Sequence, residues 1–287
     1  MTRPTPRHKA SVAERPALAQ FSDDNFRELQ RLAHQYAGVT VPDNRRQLAY
    51  SRVAKRMFEL RIATFEAYLE YVKHDHDGER VWFVHAITTH FTRFFREPEQ
   101  LYEMEALASG AWGRHRKGLQ FWSAGCSSGE EAYSIAMVMA RCFGRIAPQD
   151  FRVFATDVDK KIVDVAARGV YPHEVKADIP QRYRRYLLQG TGKNRGLVRI
   201  APELCSQVEF AVGNLSGPWP ARMYDAIFCR NVMIYFTADQ NERLLARFAG
   251  QLRPGGFLFI GHSERIGTVR TLFESCGNNV FQLRASE

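Results

Sequence analysis

Hydrophobic residues in the first third of the chain recur at helical spacing. Ser22 is placed to cap the first helix, and Phe21 and Phe26 occupy the two positions of a hydrophobic staple. Apolar residues returning every three or four positions predict four helices, over residues 22–38, 44–61, 64–72 and 79–89. No strand-like alternation precedes Leu119. The pattern therefore predicts a small all-α domain over residues 21–88.

From Leu119 onward, short apolar runs alternate with helical segments. The runs predicted as strands are 119–124, 151–157, 208–212, 225–229 and 257–260. Helical patterns follow the first, second and fourth runs, the last of them over residues 238–252. Such alternation is typical of an α/β fold with a doubly wound, Rossmann-like parallel sheet. The stretch of about 172–207 is too long for a simple link, and its glycine-rich residues 190–196 predict an inserted antiparallel β subdomain.

Composition narrows the class of protein. The 287 residues are 45% hydrophobic and 25% charged, which fits a globular chain and excludes collagen-like or wholly disordered ones. No run of 18 apolar residues and no secretory leader is visible. The five cysteines lack metal or redox spacing. We therefore expect a cytoplasmic protein with reduced thiols, no metal and no membrane insertion, and a flexible basic tail over residues 1–20.

The net charge of +9 indicates an acidic partner, which could be nucleic acid or an acidic protein face. Four basic residues fall on the side of the second helix opposite its apolar arc. They are Arg45, Arg52, Lys55 and Arg56. A solvated helix face is the alternative interpretation of this basic stripe.

Polar and small residues stand where the predicted parallel strands end, which is where open α/β sheets bind ligands. Gly125 follows the first strand, Asp157 ends the second and Asn214 follows the third. The turn after the first strand matches neither the dinucleotide nor the P-loop glycine pattern. Glu131 in that turn would repel a pyrophosphate and suit a cationic ligand. An adenosine with a cationic remainder is S-adenosylmethionine.

Five ordered blocks carry a resemblance to a known family. They are residues 88–97 (TTHFTRFFRE), 122–131 (WSAGCSSGEE), 157–159 (DVD), 228–236 (FCRNVMIYF) and 261–264 (GHSE). Together they resemble the CheR family of chemotaxis receptor glutamate methyltransferases. The resemblance implies a methyltransferase domain over residues 89–287 that binds S-adenosylmethionine and releases S-adenosylhomocysteine. It also implies methyl transfer to receptor glutamates.

The resemblance also implies the site residues. The positions expected to contact the cofactor are His90, Thr92, Arg96, Gly125, Glu131, Asp157, Asn214, Leu215, Arg230 and Asn231. Arg96 and Tyr235 are the positions most tied to the reaction. His90 departs from the family, which usually has Asn there, and so a non-catalytic module that binds S-adenosylmethionine stays open as an alternative.

The family further implies partners. The basic stripe would complement glutamate-rich signalling helices of a chemoreceptor. In some members a receptor's C-terminal pentapeptide adds a strand to the β subdomain, and the loop 190–196 resembles that form. A nucleic-acid methyltransferase is a further alternative, weakened because residues 231–235 lack the NPPY-type loop of enzymes that methylate base amino groups. We expect no nucleic-acid partner.

Overall fold

The structure is a computed structural model that describes residues 21–110, 112, 117–144, 146 and 150–284. The predicted tail over residues 1–20 lies outside the described residues. The described chain divides into two compact units. One contains the residues up to Tyr36 together with Val41–Ile87, and the other contains Ala37–Thr40 and the chain from Thr88 onward. The chain therefore enters the second unit briefly before returning to the first.

The first unit is all helical, as the sequence predicts. Its helices are α1 (Asp23–Ala37), α2 (Arg46–Leu60), α3 (Phe65–Lys73) and α4 (Glu79–Ile87). Ser22 Oγ accepts the Asn25 N–H at 3.1 Å, and the rings of Phe21 and Phe26 meet edge to face with centroids 5.9 Å apart. These contacts fix the start of α1 as the cap and staple predict.

A buried ion pair links α2 to α4. The Glu79 carboxylate is fully buried and accepts bonds from the Arg56 guanidinium at 2.7–3.1 Å. The Tyr68 hydroxyl donates to the same carboxylate at 2.9 Å, and Arg56 also lies over the Trp82 ring. Glu79 thus joins three helices of this unit, because its partners Arg56 and Tyr68 come from α2 and α3.

The second unit is built on two sheets. Its helices are α5 (Pro98–Ser109), α6 (Glu130–Phe143), α7 (Lys160–Arg168), α8 (Pro202–Cys205) and α9 (Ala238–Ala249). Its strands are β1 (Leu119–Ala124), β2 (Phe151–Asp157), β3 (Val170–Pro172), β4 (Leu187–Gln189), β5 (Leu197–Ile200), β6 (Val208–Val212), β7 (Tyr224–Cys229), β8 (Leu252–Ile260), β9 (Phe273–Gly277) and β10 (Val280–Leu283).

The large sheet has the strand order β6-β2-β1-β7-β8-β10-β9. Its first five strands run parallel, and β10 is antiparallel to both β8 and β9. The order reverses direction between β1 and β7, which is the topological switch point of a doubly wound sheet. The predicted α/β fold is confirmed.

The small sheet, β3-β5-β4, is antiparallel and forms the predicted insertion. It contacts the loops at the strand ends through aromatic residues. The Tyr171 hydroxyl donates to the Ser128 carbonyl at 2.7 Å, and its ring meets Phe94 edge to face. Phe95 stacks on Tyr183 with centroids 4.7 Å apart. The insertion is therefore packed against the 88–97 block.

Several elements differ from the sequence prediction. α5, β9 and β10 had no predicted counterpart, and α9 ends at Ala249 instead of residue 252. Residues 254–256 (PGG), a sequence typical of turns, lie inside β8, where the register with β7 shifts between Tyr224 and Ala226. At this irregularity β8 accommodates a proline and two glycines, residues that normally end a strand. Within the described ranges, every helix is too short or too polar to span a bilayer.

Candidate active site

The predicted site residues gather at the carboxyl ends of β1, β2, β6 and β7. Gly125 follows β1, Asp157 ends β2, Asn214 lies just after β6, and Arg230 and Asn231 follow β7. In a parallel sheet these ends meet at one edge, so residues far apart in sequence form one cleft.

The loop between β1 and α6 is held against the end of β2. Gly125 and Cys126 donate their N–H groups to the Thr156 carbonyl at 2.7 and 2.8 Å. The Asp157 carboxylate accepts the Ser127 N–H at 2.9 Å. A Cβ on Gly125 would lie 2.4 Å from Val232 Cγ2, and its φ is +87°. Glycine is therefore required here both for conformation and for close approach.

Arg230 is the buried centre of the site. Its side chain is 2% exposed and lies between two carboxylates, 3.2 Å from Glu97 and 3.4 Å from Glu131. It also donates to the Arg96 carbonyl. Ser123 donates to the second oxygen of Glu131 at 2.7 Å. The Arg230 side chain thus ties the loop after β7 to the 88–97 block and to the start of α6.

Arg96 takes a different arrangement. Its guanidinium donates to the Phe91 carbonyl at 2.8 Å and lies 5.5 Å from the centroid of that ring. Within the described part of the chain it forms no ion pair with Glu97 or Glu99. Arg96 is therefore not held by a salt bridge to the acids that neighbour it in the sequence.

His90 and Thr92 lie in the same block. His90 Nε2 is 2.9 Å from Asp159 Oδ2 and 2.9 Å from Thr88 Oγ1. Asp159 is fully buried and caps α7 through the Lys161 N–H. His90 therefore joins the 88–97 block to the segment after β2. Thr92 is half-buried.

The short segment Ala37–Thr40 contacts two site loops. The Thr40 N–H donates to the Tyr235 carbonyl at 2.8 Å. A Cβ on Gly38 would lie 2.5 Å from Ser216 Oγ and 2.9 Å from Asn214 Oδ1. Asn214 Oδ1 in turn accepts the Ser216 N–H at 2.8 Å. Leu215, the next predicted residue, is buried.

Four residues around the cleft that are not glycine adopt the left-handed conformation. They are Phe95 (φ +51°), Glu97 (φ +50°), Ser127 (φ +49°) and Asn231 (φ +60°). Such conformations cost about 1–3 kcal/mol each and cluster where function fixes the backbone. They lie in three of the loops that carry the predicted site residues, and other left-handed residues lie at Arg61, Asp75, Asp77, Asn278 and Asn279.

Comparison with known proteins assigns the chain that forms this cleft to a family. The family model described as the CheR methyltransferase SAM-binding domain matches residues 90–281, and the one for the CheR all-alpha domain matches residues 24–88. The chain belongs to the CheR methyltransferase family. It is therefore an S-adenosylmethionine-dependent methyltransferase, as the five sequence blocks imply.

Curated relatives of this chain carry the name of the same family of methyltransferases. The chain is 40% identical over 280 residues to the chemotaxis protein methyltransferase of Escherichia coli (strain K12), covering 95% of this chain and 94% of that protein. It is 38% identical over 264 residues to chemotaxis protein methyltransferase 2 of Pseudomonas aeruginosa, covering 91% and 93%. Among solved structures, the N-methyltransferase NodS of Bradyrhizobium japonicum matches with a TM-score of 0.37 and 17% identity, covering 67% of this chain and 97% of NodS.

The residues of this CheR cleft fit S-adenosylmethionine. Burial raises the pKa of Asp157 and of Glu131 above their usual values. The charges of Arg230 and Arg96 act in the opposite direction on the pKa of Glu131. The Ser127 hydroxyl, in the loop after β1, is buried without a hydrogen-bond partner among the described residues. An unpaired buried hydroxyl and half-buried carboxylates suit a ligand with ribose hydroxyls and cationic groups.

Two carboxylates at the site had no predicted role. Glu97 contacts Arg230, and Glu264 accepts three backbone N–H bonds from the loops after β7 and β8. Both lie in blocks that carried the resemblance, which was the available signal. Their roles depend on contacts across more than 30 and 130 residues of sequence, which spacing does not reveal.

The predicted basic stripe is only partly a surface feature. Arg45 lies in the 3₁₀ turn before α2, and Arg52 donates to the Ala86 carbonyl at 2.9 Å. Arg56 forms the buried pair with Glu79. Lys55 is exposed. The role of these four residues in partner binding stays a prediction.

Proposed function

We propose that this CheR enzyme methylates the side-chain carboxylates of glutamates on the cytoplasmic signalling helices of chemoreceptors, giving glutamyl methyl esters. The observation that carries the proposal is the state of Arg96, a guanidinium held at the cleft by a carbonyl and an aromatic ring. Its charge matches a carboxylate acceptor. Relatives named as chemotaxis methyltransferases support the substrate class.

The chemistry needs no nucleophile–base pair from the protein. A glutamate has a free pKa near 4.3, so the acceptor is ionised at pH 7. S-adenosylmethionine supplies a methyl carbon already activated by a sulfonium and leaves as S-adenosylhomocysteine. The protein must hold the acceptor oxygen in line and exclude water. Positioning of this kind is worth roughly 7–11 kcal/mol in favourable cases.

The site residues divide this work. Asp157, Glu131, Asn214, Leu215, Asn231, Thr92 and His90 are proposed to hold the cofactor, with Gly125 giving the close backbone approach. Arg230 keeps Glu131 and Glu97 in place from its buried position. Arg96 is proposed to orient a carboxylate. Tyr235, fixed by the Thr40 N–H at its carbonyl, is proposed to line the acceptor position.

Lys55 is the residue of the basic stripe best placed to meet a receptor helix. It is exposed, and no ion pair of Lys55 is present among the described residues. A glutamate-rich helix would be steered toward such a charge. Arg56 contributes to this surface only through the part of its side chain not committed to Glu79.

The insertion offers one edge for a receptor pentapeptide. The Gly190 N–H donates to the Leu197 carbonyl, and the Ala201 N–H donates to the Tyr186 carbonyl. Backbone groups of alternate residues along β4 therefore face β5, and the Gln189 N–H and C=O point outward. On the other edge, the outward positions of β3 are Val170 and Pro172, and Pro172 has no N–H to donate. We propose that the pentapeptide adds to β4.

Radiolabel transfer tests the reaction. Receptor-bearing membranes are incubated with methyl-labelled S-adenosylmethionine and the enzyme, and the labelled protein is then treated with mild base. Release of volatile methanol supports a carboxyl methyl ester, whereas base-stable label contradicts the proposal. Arg96→Met should lower transfer by about tenfold to a hundredfold, the worth of a charge-assisted bond. Arg222→Met, which breaks an exposed pair with Glu209, is the matched control and should transfer normally.

Calorimetry with a synthetic peptide of the receptor's last five residues tests the β4 edge. Gln189→Pro removes the outward N–H and should abolish binding. Gln189→Ala keeps that N–H and should bind like the original chain. Equal binding by both variants would place the peptide elsewhere.

A further inference from the structure

We infer that Glu264 is the positioning residue that sets the cofactor-binding conformation of the loop after β7. It stands in the turn that follows β8, and its side chain is buried. This inference rests on the proposed role of Arg230 and Asn231 in holding the cofactor.

The Glu264 carboxylate collects backbone N–H groups from two strand-end loops. One oxygen accepts from Gly261 at 2.6 Å and from Asn231 at 3.0 Å, and the other accepts from Met233 at 2.8 Å. The Glu264 N–H itself donates to the Gly261 carbonyl at 2.9 Å, which closes the turn. A single side chain thus joins the loop after β7 to the turn after β8.

The loop it holds is conformationally demanding. Asn231 is left-handed, with φ +60°, a conformation that Asn tolerates but does not prefer. The carboxylate bonds the N–H of this residue and of Met233, two positions further on. Because both donors are backbone groups, the loop keeps its shape only while an acceptor lies between them. The neighbouring Arg230 then points at Glu131 and Glu97.

Gly261 is packed too closely against Asn231 and Glu264 to carry a side chain. A Cβ there would lie 2.7 Å from Asn231 Nδ2 and 2.9 Å from both Asn231 N and Glu264 Oε2. Gly261 and Glu264 therefore act together, one by its size and the other by its charge. This accounts for two residues of the 261–264 block whose task the sequence did not indicate.

The test measures binding of S-adenosylhomocysteine to the full chain by calorimetry. Glu264→Gln replaces one acceptor oxygen with an NH₂ group that faces an N–H donor. It should weaken binding at least tenfold and lower the hydrogen-exchange protection of the Asn231 and Met233 amides. Gly261→Ala leaves the carboxylate intact and should produce the same two effects, which covers the case in which Glu264→Gln fails to fold.

The matched control is Asp225→Asn. Asp225 is also a buried carboxylate, and it accepts bonds from the Gln120 N–H and from Arg253, but it lies at the opposite end of β7. It should lose stability while binding S-adenosylhomocysteine within about twofold of the original chain. Normal binding and protection in Glu264→Gln would overturn the inference. Normal binding in Asn231→Ala would instead overturn the cofactor role of the loop on which the inference rests.

Discussion

Replacing Arg56 with Met should destabilise the helical unit far more than its place in a basic stripe suggests. The substitution leaves the fully buried Glu79 carboxylate with one remaining side-chain bond, from Tyr68. Removing one partner of a buried pair costs about 3–5 kcal/mol. The lost stacking on Trp82, at 4.2 Å, adds about 0.5–1 kcal/mol.

Urea denaturation followed by circular dichroism measures this cost. With a slope of about 2 kcal/mol/M, a loss of 3–5 kcal/mol lowers the unfolding midpoint by roughly 1.5–2.5 M. Adding Glu79→Leu to Arg56→Met removes the stranded charge, so the double variant should recover a large part of the loss. Lys55→Met is the control and should unfold within about 0.5 kcal/mol of the original chain.

Two outcomes distinguish a structural role of Arg56 from a role in receptor recognition. If Arg56→Met unfolds at the original urea concentration and only receptor methylation falls, Arg56 acts by direct contact with the receptor. If Lys55→Met lowers methylation without a change in stability, the recognition charge on α2 is Lys55.

Two further substitutions test other parts of the molecule. Gly125→Ala should weaken S-adenosylhomocysteine binding at least tenfold in calorimetry, because the new Cβ meets Val232 and the positive φ costs an L residue about 1–2 kcal/mol; unchanged binding would show that the loop can move aside. Arg31 and Lys73 lower the pKa of Glu28 to about 2, so ionised Glu28 stabilises the fold in full above the ordinary glutamate pKa, and this contribution is lost as the pH falls toward 2. Glu28→Gln should therefore cost about 0.5–1 kcal/mol at pH 7 and progressively less below about pH 4 in urea titrations, whereas a constant difference would contradict the pKa assignment.

The sequence predicted the central architecture because strong local signals coincided with it. Ser22 and Thr64 cap helices where their type and position indicate, and the apolar runs of β1, β2 and β7 lie fully or nearly buried in the sheet. The elements that it missed have weak local patterns. β9 is largely exposed, and β8 runs through a Pro-Gly-Gly segment whose turn preference yields to pairing with β7 and β10.

The sequence predicted which residues follow the strand ends, but it did not predict how their side chains pair. Strand ends and family blocks located Asp157 and Arg230, but they did not show that Arg230 lies between two carboxylates. Helical spacing placed Arg56 on a polar face, yet tertiary contacts give it a buried acid. Side-chain pairing across distant segments decides such roles, and periodicity carries no information about it.

Because the segment Ala37–Thr40 belongs to the second unit, the two units alternate along the sequence. The catalytic unit includes four residues that precede most of the helical unit in the sequence, and these residues contact the Asn214 and Tyr235 loops. A chain shortened to start at Thr88 would lack the donor to the Tyr235 carbonyl along with the helices. Loss of methyl transfer in such a fragment would therefore not measure what the helices contribute to receptor recognition. Substitutions on α2 within the intact chain make that separation.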